Sequence, residues 1–224
     1  MTKKKGDAIP RRVYSSREIL EAYIVRNGLL NEKKKNAAQR RSKRSQILSL
    51  TNALFPEQLA FIQDPHKKKA ALCSRRSGKS YAAGRYLIQE ALDNDDTMAV
   101  YIARTREAAK RILWSSLKQA NQAYRLGIKF NNADLIATFP NQSQILFTGA
   151  NDASDVDKLR GAAFSLAVLD EAAFFNINLK ELVNEVLTPA LLDLDGSLVM
   201  ISTPSAACQG FFYDITEKGK YGFN

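Results

Sequence analysis

The chain has few of the residues that build metal sites, disulfide frameworks and membrane spans. Its 224 residues include one histidine, two cysteines and one tryptophan. So few His and Cys ligands argue against a zinc site. Cys73 and Cys208 each lie in or just after an expected core strand, so we expect no disulfide and a reducing cytoplasm. No apolar run approaches the ~20 residues of a membrane-spanning helix, and the N-terminus does not lead into a signal peptide.

Acidic residues are scarce in the first fifth of the chain. Residues 1–50 hold 14 Lys and Arg against 4 Asp and Glu, a net charge of +10, whereas residues 51–224 hold 19 of each. Such a segment binds DNA phosphates or an acidic protein surface, or it is a solvated, partly disordered arm. We expect a basic, partly flexible helical extension over residues 1–50. Residues 51–224 are expected to form one domain, since the chain is 45% apolar and long enough for one sizeable core.

A phosphate-binding loop is the strongest functional signal. Residues 73–80 read Cys-Ser-Arg-Arg-Ser-Gly-Lys-Ser, which fits G-x-x-x-x-G-K-[ST] with Cys73 in place of the first glycine. In this pattern Lys79 reaches the β- and γ-phosphate oxygens and the Ser80 hydroxyl binds Mg²⁺. Because Cys73 has a Cβ, it predicts a more open loop or a weaker nucleotide affinity. The predicted nucleotide-binding residues of the loop are Ser74, Arg75, Arg76, Ser77, Gly78, Lys79 and Ser80.

Two carboxylates end a second apolar run, Phe164-Ser-Leu-Ala-Val-Leu-Asp-Glu171. Such a run is typical of a parallel strand buried on both faces, and ligands bind at the carboxyl ends of these strands. We expect Asp170 to hold Mg²⁺ opposite Ser80, and Glu171 to polarise the water that attacks the γ-phosphate. The alternative is a core strand followed by a solvated, helix-capping pair, but the phosphate loop upstream favours the first interpretation.

Strands and helices alternate after a short helix that opens at Pro56. The hairpin signal is Pro140-Asn141 between two short β segments, 134–139 and 143–148. The alternation predicts an α/β domain of three layers with a mainly parallel sheet and an added antiparallel hairpin. The other expected elements are strands 70–74, 97–103, 164–169 and 197–202 and helices 79–92, 105–124, 178–192 and 210–218.

Four motifs together resemble the ATPase domain of the large terminase subunit of tailed bacteriophages, the motor that packages DNA into capsids. The resemblance runs from about Phe55 to Gly219 and keeps the family's motif order. It implies a P-loop NTPase fold of the ASCE/RecA-like class, with ATP and Mg²⁺ as cofactors. The motifs are Phe55-Pro-Glu-Gln58, the arginine-bearing loop Ser74–Ser80, Lys158-Leu-Arg-Gly161 ahead of the paired carboxylates, and Ser202-Thr-Pro204.

The resemblance assigns a role to each motif. Gln58 resembles the glutamine that contacts adenine, and its amide can both donate and accept. Arg160 resembles an arginine offered to a neighbouring subunit's γ-phosphate, while pairing with a nearby aspartate is the alternative. Ser202 and Thr203 resemble the coupling motif beside the γ-phosphate, or else form a strand end that caps the next helix. Arg76, with Arg160, is expected to stabilise the transition state.

The resulting hypothesis is an ATP hydrolase that drives double-stranded DNA into a procapsid. The resemblance implies a portal protein and a small terminase subunit as partners, and a ring of about five subunits docked on the portal in the host cytoplasm. An isolated domain is expected to be a monomer with slow turnover. Full-length terminases carry a nuclease domain after the motor, so we expect no DNA cleavage here. A helicase-like translocase remains an alternative, as does a DNA- or protein-binding adaptor whose nucleotide site is structural.

Overall fold

The fold is described from a computed structural model that places Leu50, residues 52–218 and residues 222–223. The chain divides into two units, Met1–Ser45 and Gln46–Asn224, and all the described residues belong to the second. The expected basic extension over residues 1–50 therefore lies outside the described residues, apart from Leu50. Leu50 itself is buried in the core.

One mixed sheet forms the centre of the described unit. Its strands are β1 (Lys68–Leu72), β2 (Met98–Ala103), β3 (Lys129–Asn131), β4 (Ile136–Thr138), β5 (Gln144–Gly149), β6 (Leu166–Asp170) and β7 (Ser197–Ser202). They lie in the order β1-β7-β6-β2-β5-β4-β3. The pairs from β1 to β5 are parallel, whereas β5 with β4 and β4 with β3 are antiparallel. The predicted α/β fold, with its mainly parallel sheet and hairpin, is confirmed.

Helices cover both faces of this sheet. They are α1 (Pro56–Gln63), α2 (Lys79–Asp93), α3 (Arg106–Ala109), α4 (Ser115–Tyr124), α5 (Ala153–Asp157), α6 (Leu179–Glu181), α7 (Thr188–Leu192) and α8 (Phe211–Lys218). π-Helical segments join α3 to α4 (Lys110–Trp114) and α6 to α7 (Leu182–Leu187), and a 3₁₀ turn spans Ala172–Phe174. Among the described residues, no helix is both long and apolar enough to cross a bilayer. Cys73 and Cys208 are both free thiols.

Two apolar clusters lie on opposite faces of the sheet, because neighbouring residues of a strand point to opposite sides. Tyr101 and Val168 belong to the cluster under α2 and α4, whereas Ile102 and Leu169 belong to the cluster under α6 and α7. On the first face Trp114 packs edge-on against an aromatic residue of β3 and one of β5, each with ring centroids 5.2 Å apart. The sheet is therefore buried between two helical layers, as a three-layer domain requires.

The first strand begins two residues earlier than the sequence suggests. It starts at Lys68 because Lys69 is a core residue, only 1% exposed. The Lys69 Nζ donates to the carbonyls of Phe61, Ile62 and Asp64 at 3.2, 3.2 and 2.7 Å. These carbonyls lie at the end of α1, where the last turn of a helix has no acceptor partner of its own. A sequence pattern treats lysine as a surface residue, so it places the strand too late.

Two further features were not predicted. The expected helices 105–124 and 178–192 each contain a π segment, and Pro189 follows the second one. Proline has no N–H to donate, and a missing donor is a common cause of a shifted hydrogen-bond ladder. Strand β3 was also missed, because three residues with one half-buried aromatic, Phe130, carry no readable alternation.

Candidate active site

The strand order brings three functional strand ends together at one edge of the sheet. β7 lies between β1, which leads into the phosphate loop, and β6, which ends at Asp170. The Cys73 N–H donates to the Ser202 carbonyl at 2.9 Å, so the loop leaves the sheet beside the end of β7. The motif at 202–204 is thereby placed between the loop and the paired carboxylates.

The backbone of the phosphate loop is shaped to receive an anion. Arg76 and Gly78 have positive φ angles of 62° and 79°, and such turns direct successive N–H groups into one concavity. α2, 15 residues long, begins directly after Gly78 and directs its positive end at the same point. A Cβ at Gly78 would lie 2.4 Å from the Gln58 amide nitrogen, so glycine is required there for space as well as for φ.

Gln58 fastens α1 to this loop. Its Nε2 donates to the carbonyls of Ser77 and Gly78 at 3.2 and 3.3 Å, and its Oε1 accepts from the Phe55 N–H at 3.1 Å. The structure thus places Gln58 against the loop backbone. Its contact with adenine stays a prediction.

Lys79 and Glu171 form the central ion pair of the site. The Lys79 Nζ lies 2.9 Å from the Glu171 Oε1, with the two side chains 10% and 32% exposed. The Glu171 Oε2 accepts from the Thr203 N–H at 3.2 Å and from its hydroxyl at 3.0 Å. Partial burial raises the pKa of Glu171, but the bonds from Lys79 and Thr203 outweigh it and hold the pKa below its usual value. Glu171 is therefore an ionised acceptor at neutral pH.

The backbone at Glu171 is held in an uncommon conformation. Its φ is +57°, a left-handed geometry that costs a non-glycine residue about 1 kcal/mol or more. The Glu171 N–H donates to the Asp170 Oδ1 at 2.9 Å, and the Ala173 N–H donates to the buried Ser202 Oγ at 3.1 Å. These bonds tie the turn after β6 to the end of β7. The Glu171 carboxylate is thus fixed by the backbone as well as by its side-chain partners.

Asp170 is the buried carboxylate of the pair, 1% exposed. Its Oδ2 accepts from the Tyr101 hydroxyl at 2.6 Å, and the Ser80 side chain also hydrogen-bonds to it. Burial raises the pKa of Asp170 above its usual value, against the lowering effect of these hydrogen bonds. Burial and the Asp170 charge raise the phenol pKa of Tyr101 well above its ordinary value. The tyrosine therefore keeps its proton and is the donor of this hydrogen bond.

A hydroxyl and a buried carboxylate suit Mg²⁺, which prefers oxygen ligands and usually completes its shell with water and substrate phosphates. Ser80 and Asp170 are the residues that would hold it. The raised pKa of Asp170 shows that this carboxylate has less positive charge nearby than its burial demands. Within the described residues no group of three or more His, Cys, Asp or Glu side chains is arranged to bind a metal, so phosphates would supply much of the coordination.

The predicted arginines lie at the rim of the site. Arg75 and Arg76 are exposed residues of the loop. The Arg160 Nε lies 3.0 Å from the Asp157 Oδ1, and the two side chains are 47% and 68% exposed. Exposed pairs of this kind contribute little stability and exchange readily. The pairing alternative describes this structure, and the role of Arg160 at a neighbour's phosphate stays a prediction.

A cleft of about 350 Å³ opens beside the two carboxylates. Its lining includes Asp170, Glu171 and two arginines, Arg104 and Arg111, from the β2 side. Arg106, the other arginine after β2, instead donates to the Ala133 carbonyl. The cleft has room for phosphate groups and water at the point where the ionised Glu171 faces outward.

Sequence reasoning missed Tyr101 as a site residue. In the sequence it is one apolar-looking member of a buried strand, Met98–Ala103. Its contact with Asp170 depends on β2 lying next to β6, which the chain order does not give. The only available signal was a hydroxyl in an otherwise apolar run near a strand's carboxyl end.

The fold and the site together define a P-loop nucleotide-binding domain. Residues 70–218 match the family described as "Terminase large subunit, T4likevirus-type, N-terminal". The chain therefore belongs to the large terminase subunit family, as the sequence motifs predicted.

Curated relatives include the "Terminase, large subunit" of Thermus phage G20c and that of Thermus virus P23-45. Each is 27% identical over 181 residues, covering 74% of this chain and 36% of the relative. The chain thus spans about a third of the length of these relatives.

Solved structures with the same fold include the large terminase ATPase domain of Thermus phage P74-26, at 24% identity and a TM-score of 0.61, covering 75% of this chain and 71% of that one. The large terminase of a second thermophilic bacteriophage, in complex with ADP, aligns at 18% identity and a TM-score of 0.62, covering 76% and 45%. The large terminase of bacteriophage HK97 aligns at 16% identity and a TM-score of 0.60, covering 76% and 38%.

Proposed function

We propose that this chain is an ATPase motor domain that couples hydrolysis of ATP to the movement of double-stranded DNA into a viral procapsid. The observation that carries the proposal is the 2.9 Å contact between Lys79 of the phosphate loop and Glu171, next to the buried Asp170. Family membership supports it. The second thermophilic phage terminase named above has been solved with ADP and with ATP-gamma-S.

Nucleotide binding exchanges the partner of Lys79. A triphosphate placed in the loop offers Lys79 several negative oxygens in place of one carboxylate, and charge-assisted bonds to phosphate are strong. As Lys79 turns to the β- and γ-phosphates, Glu171 loses its cation but keeps its bonds from Thr203. Ser80 and Asp170 hold Mg²⁺, which when bound neutralises phosphate charge.

Hydrolysis then uses the freed carboxylate. Glu171, ionised because of its lowered pKa, accepts a hydrogen bond from a water and orients it for in-line attack on the γ-phosphorus. Arg76 offsets the charge that develops on the phosphoryl oxygens, and Arg160 does the same for a neighbouring subunit's nucleotide. A domain without such a neighbour turns over slowly, since an arginine supplied in trans contributes about 10³-fold or more.

The outcome of hydrolysis is passed on through β7. Thr203 holds the Glu171 carboxylate with two hydrogen bonds, and Ser202 is bonded to the turn after β6. A movement of Glu171 on binding or release of the γ-phosphate therefore changes contacts at the end of β7 and in the chain that follows it. This is the role proposed for the Ser202–Thr203 motif.

The proposed partners are double-stranded DNA, a portal protein, a small terminase subunit and further copies of this chain in a ring. They would meet in the host cytoplasm at the procapsid portal. The basic residues 1–50 offer phosphate-binding charge, and the exposed Arg160 is accessible to a second subunit. We assign DNA cleavage to none of the described residues.

The test is Glu171→Gln, which keeps the side chain's shape and removes its charge. We expect hydrolysis to fall by about 10²–10⁴-fold, while the affinity for ATP stays within about threefold because Lys79 loses a competitor. Glu185→Gln, on an exposed helical position, is the matched control. Steady-state phosphate release and binding of a fluorescent ATP analogue give the two readouts.

The same experiment separates the alternatives. Wild-type protein that binds ATP but shows no hydrolysis beyond that of Glu171→Gln would support a structural nucleotide site, and hence the adaptor. Hydrolysis accompanied by unwinding of a forked duplex would support a helicase-like translocase instead of a packaging motor.

A further inference from the structure

We propose that Tyr101 is a positioning residue for the Mg²⁺ site, acting through Asp170. The inference rests on the proposed function, since it concerns the metal that accompanies the nucleotide. It assigns to a buried tyrosine on a neighbouring strand the task of fixing the orientation of the one carboxylate expected to reach the metal.

The sheet register makes this contact possible. Tyr101 on β2 lies opposite Val168 on β6, and Ile102 lies opposite Leu169. Tyr101 and Val168 face the same layer, and Asp170, two residues further on, faces it too. Two residues of strand span about 6.6 Å, which the length of a tyrosine side chain covers. The phenol therefore lies along β6 and ends at the carboxylate.

The tyrosine ring is held in place by its neighbours. Tyr101 has no exposed surface, and its ring packs against Phe147 with centroids 5.7 Å apart. Phe147 is in turn packed edge-on by Trp114. The hydroxyl is thus a fixed donor, 2.6 Å from the Asp170 Oδ2.

The two carboxylate oxygens of Asp170 are held from different directions. Oδ2 accepts from Tyr101 and Oδ1 accepts from the Glu171 N–H at 2.9 Å, so the plane of the carboxylate is set by two strands and the following turn. Ser80, its proposed co-ligand, hydrogen-bonds to the same group. Outer partners of this kind orient metal ligands, and their loss typically costs about 10–100-fold in metal affinity or activity.

The experiment is Tyr101→Phe, which removes one buried oxygen and keeps the ring. The readout is the affinity for a fluorescent ADP analogue, measured in EDTA and across a Mg²⁺ titration. We expect binding in EDTA to match wild type within about twofold, because the loop and Lys79 are untouched, and the Mg²⁺ midpoint to rise about tenfold. Tyr86→Phe, which removes the hydroxyl of a partly buried tyrosine bonded to Ser197, should shift neither.

A double-mutant cycle with Asp170→Asn sharpens the result. If Tyr101 acts through Asp170, its replacement should cause no further shift of the Mg²⁺ midpoint in the Asp170→Asn background. Thermal melting confirms that each variant is folded at the assay temperature.

Two results would overturn the inference: an unchanged Mg²⁺ midpoint in Tyr101→Phe, or an equal loss of binding with and without Mg²⁺, which indicates a packing defect. A wild-type protein without any Mg²⁺-dependent nucleotide binding would instead contradict the proposed function itself.

Discussion

Two lysines at the two ends of one short segment are used in opposite ways. Lys69, in the middle of β1, is 1% exposed and donates to three backbone carbonyls at the end of α1. Lys79, at the start of α2, is 10% exposed at its side chain and pairs with the carboxylate of Glu171. Burial lowers the pKa of Lys69, only partly offset by nearby acidic groups. One lysine has fixed partners, and the other has a partner that a phosphate can replace.

The comparison shows how a similar side chain serves either stability or function. The carbonyls around Lys69 belong to a packed helix end and have no alternative donor, so this contact persists in every functional state. The Glu171 carboxylate is a third exposed, stands beside an open cleft and has a second set of donors on Thr203. Lys79 can therefore leave without stranding a buried charge.

The largest expected effect is that of Lys79→Met. We expect the affinity for ATP to fall by about 10²-fold and hydrolysis to become undetectable, since the charge-assisted bonds to the phosphates are lost. The stability should change by less than about 1 kcal/mol, because Glu171 remains accessible to water. Nucleotide titration and thermal melting measure both, with Lys129→Met on the exposed edge strand as control. A large loss of stability would erase the distinction between the two lysines.

Lys69→Met should show the reverse pattern. The methionine fills the space of the lysine stem but leaves three carbonyls without their donor, at a cost of about 2 kcal/mol. For a domain of this size the melting temperature should drop by roughly 4–8 °C. Nucleotide affinity of the folded variant should stay within about threefold. A variant as stable as wild type, or one that loses nucleotide binding, would show that Lys69 is not a structural residue in this sense.

The smallest effect concerns pH in the absence of nucleotide. The pKa of Glu171 is lowered in the folded state, so its contribution to stability is present above the ordinary value of 4.5 and is lost as pH falls through the folded pKa. The melting temperature of wild type should therefore exceed that of Glu171→Gln by an amount that is constant near pH 6 and shrinks below 4.5. A difference that grows on acidification would mean that the ion pair does not stabilise the resting state.

Sequence reasoning captured the local chemistry and missed what depends on strand order. The loop from Cys73 to Ser80 and the Asp170–Glu171 pair could be placed because each is contiguous and follows an apolar strand. The helix that carries Gln58 was also predicted, but its contact with Gly78 was not. Tyr101 was missed because its role arises only from the adjacency of β2 and β6.

Other parts of the fold were hidden for physical reasons of the same kind. A buried lysine satisfied by carbonyls looks like a surface residue, which moved the predicted start of β1 past Lys69. The π segments depend on a helix ladder that adjusts to its surroundings, and only Pro189 hints at one of them. Short strands such as β3 gain their stability from the neighbour they pair with, which the residues Lys129–Asn131 do not reveal.

The central claim is that Lys79 exchanges Glu171 for phosphate, and a structure of the protein with Mg²⁺ and a non-hydrolysable ATP analogue tests it most directly. The account predicts that the Lys79 Nζ lies about 3 Å from a β- or γ-phosphate oxygen and more than about 4 Å from the Glu171 carboxylate, where no salt bridge remains. An ion pair retained at 2.9 Å, with the nucleotide bound elsewhere or not at all, would contradict it.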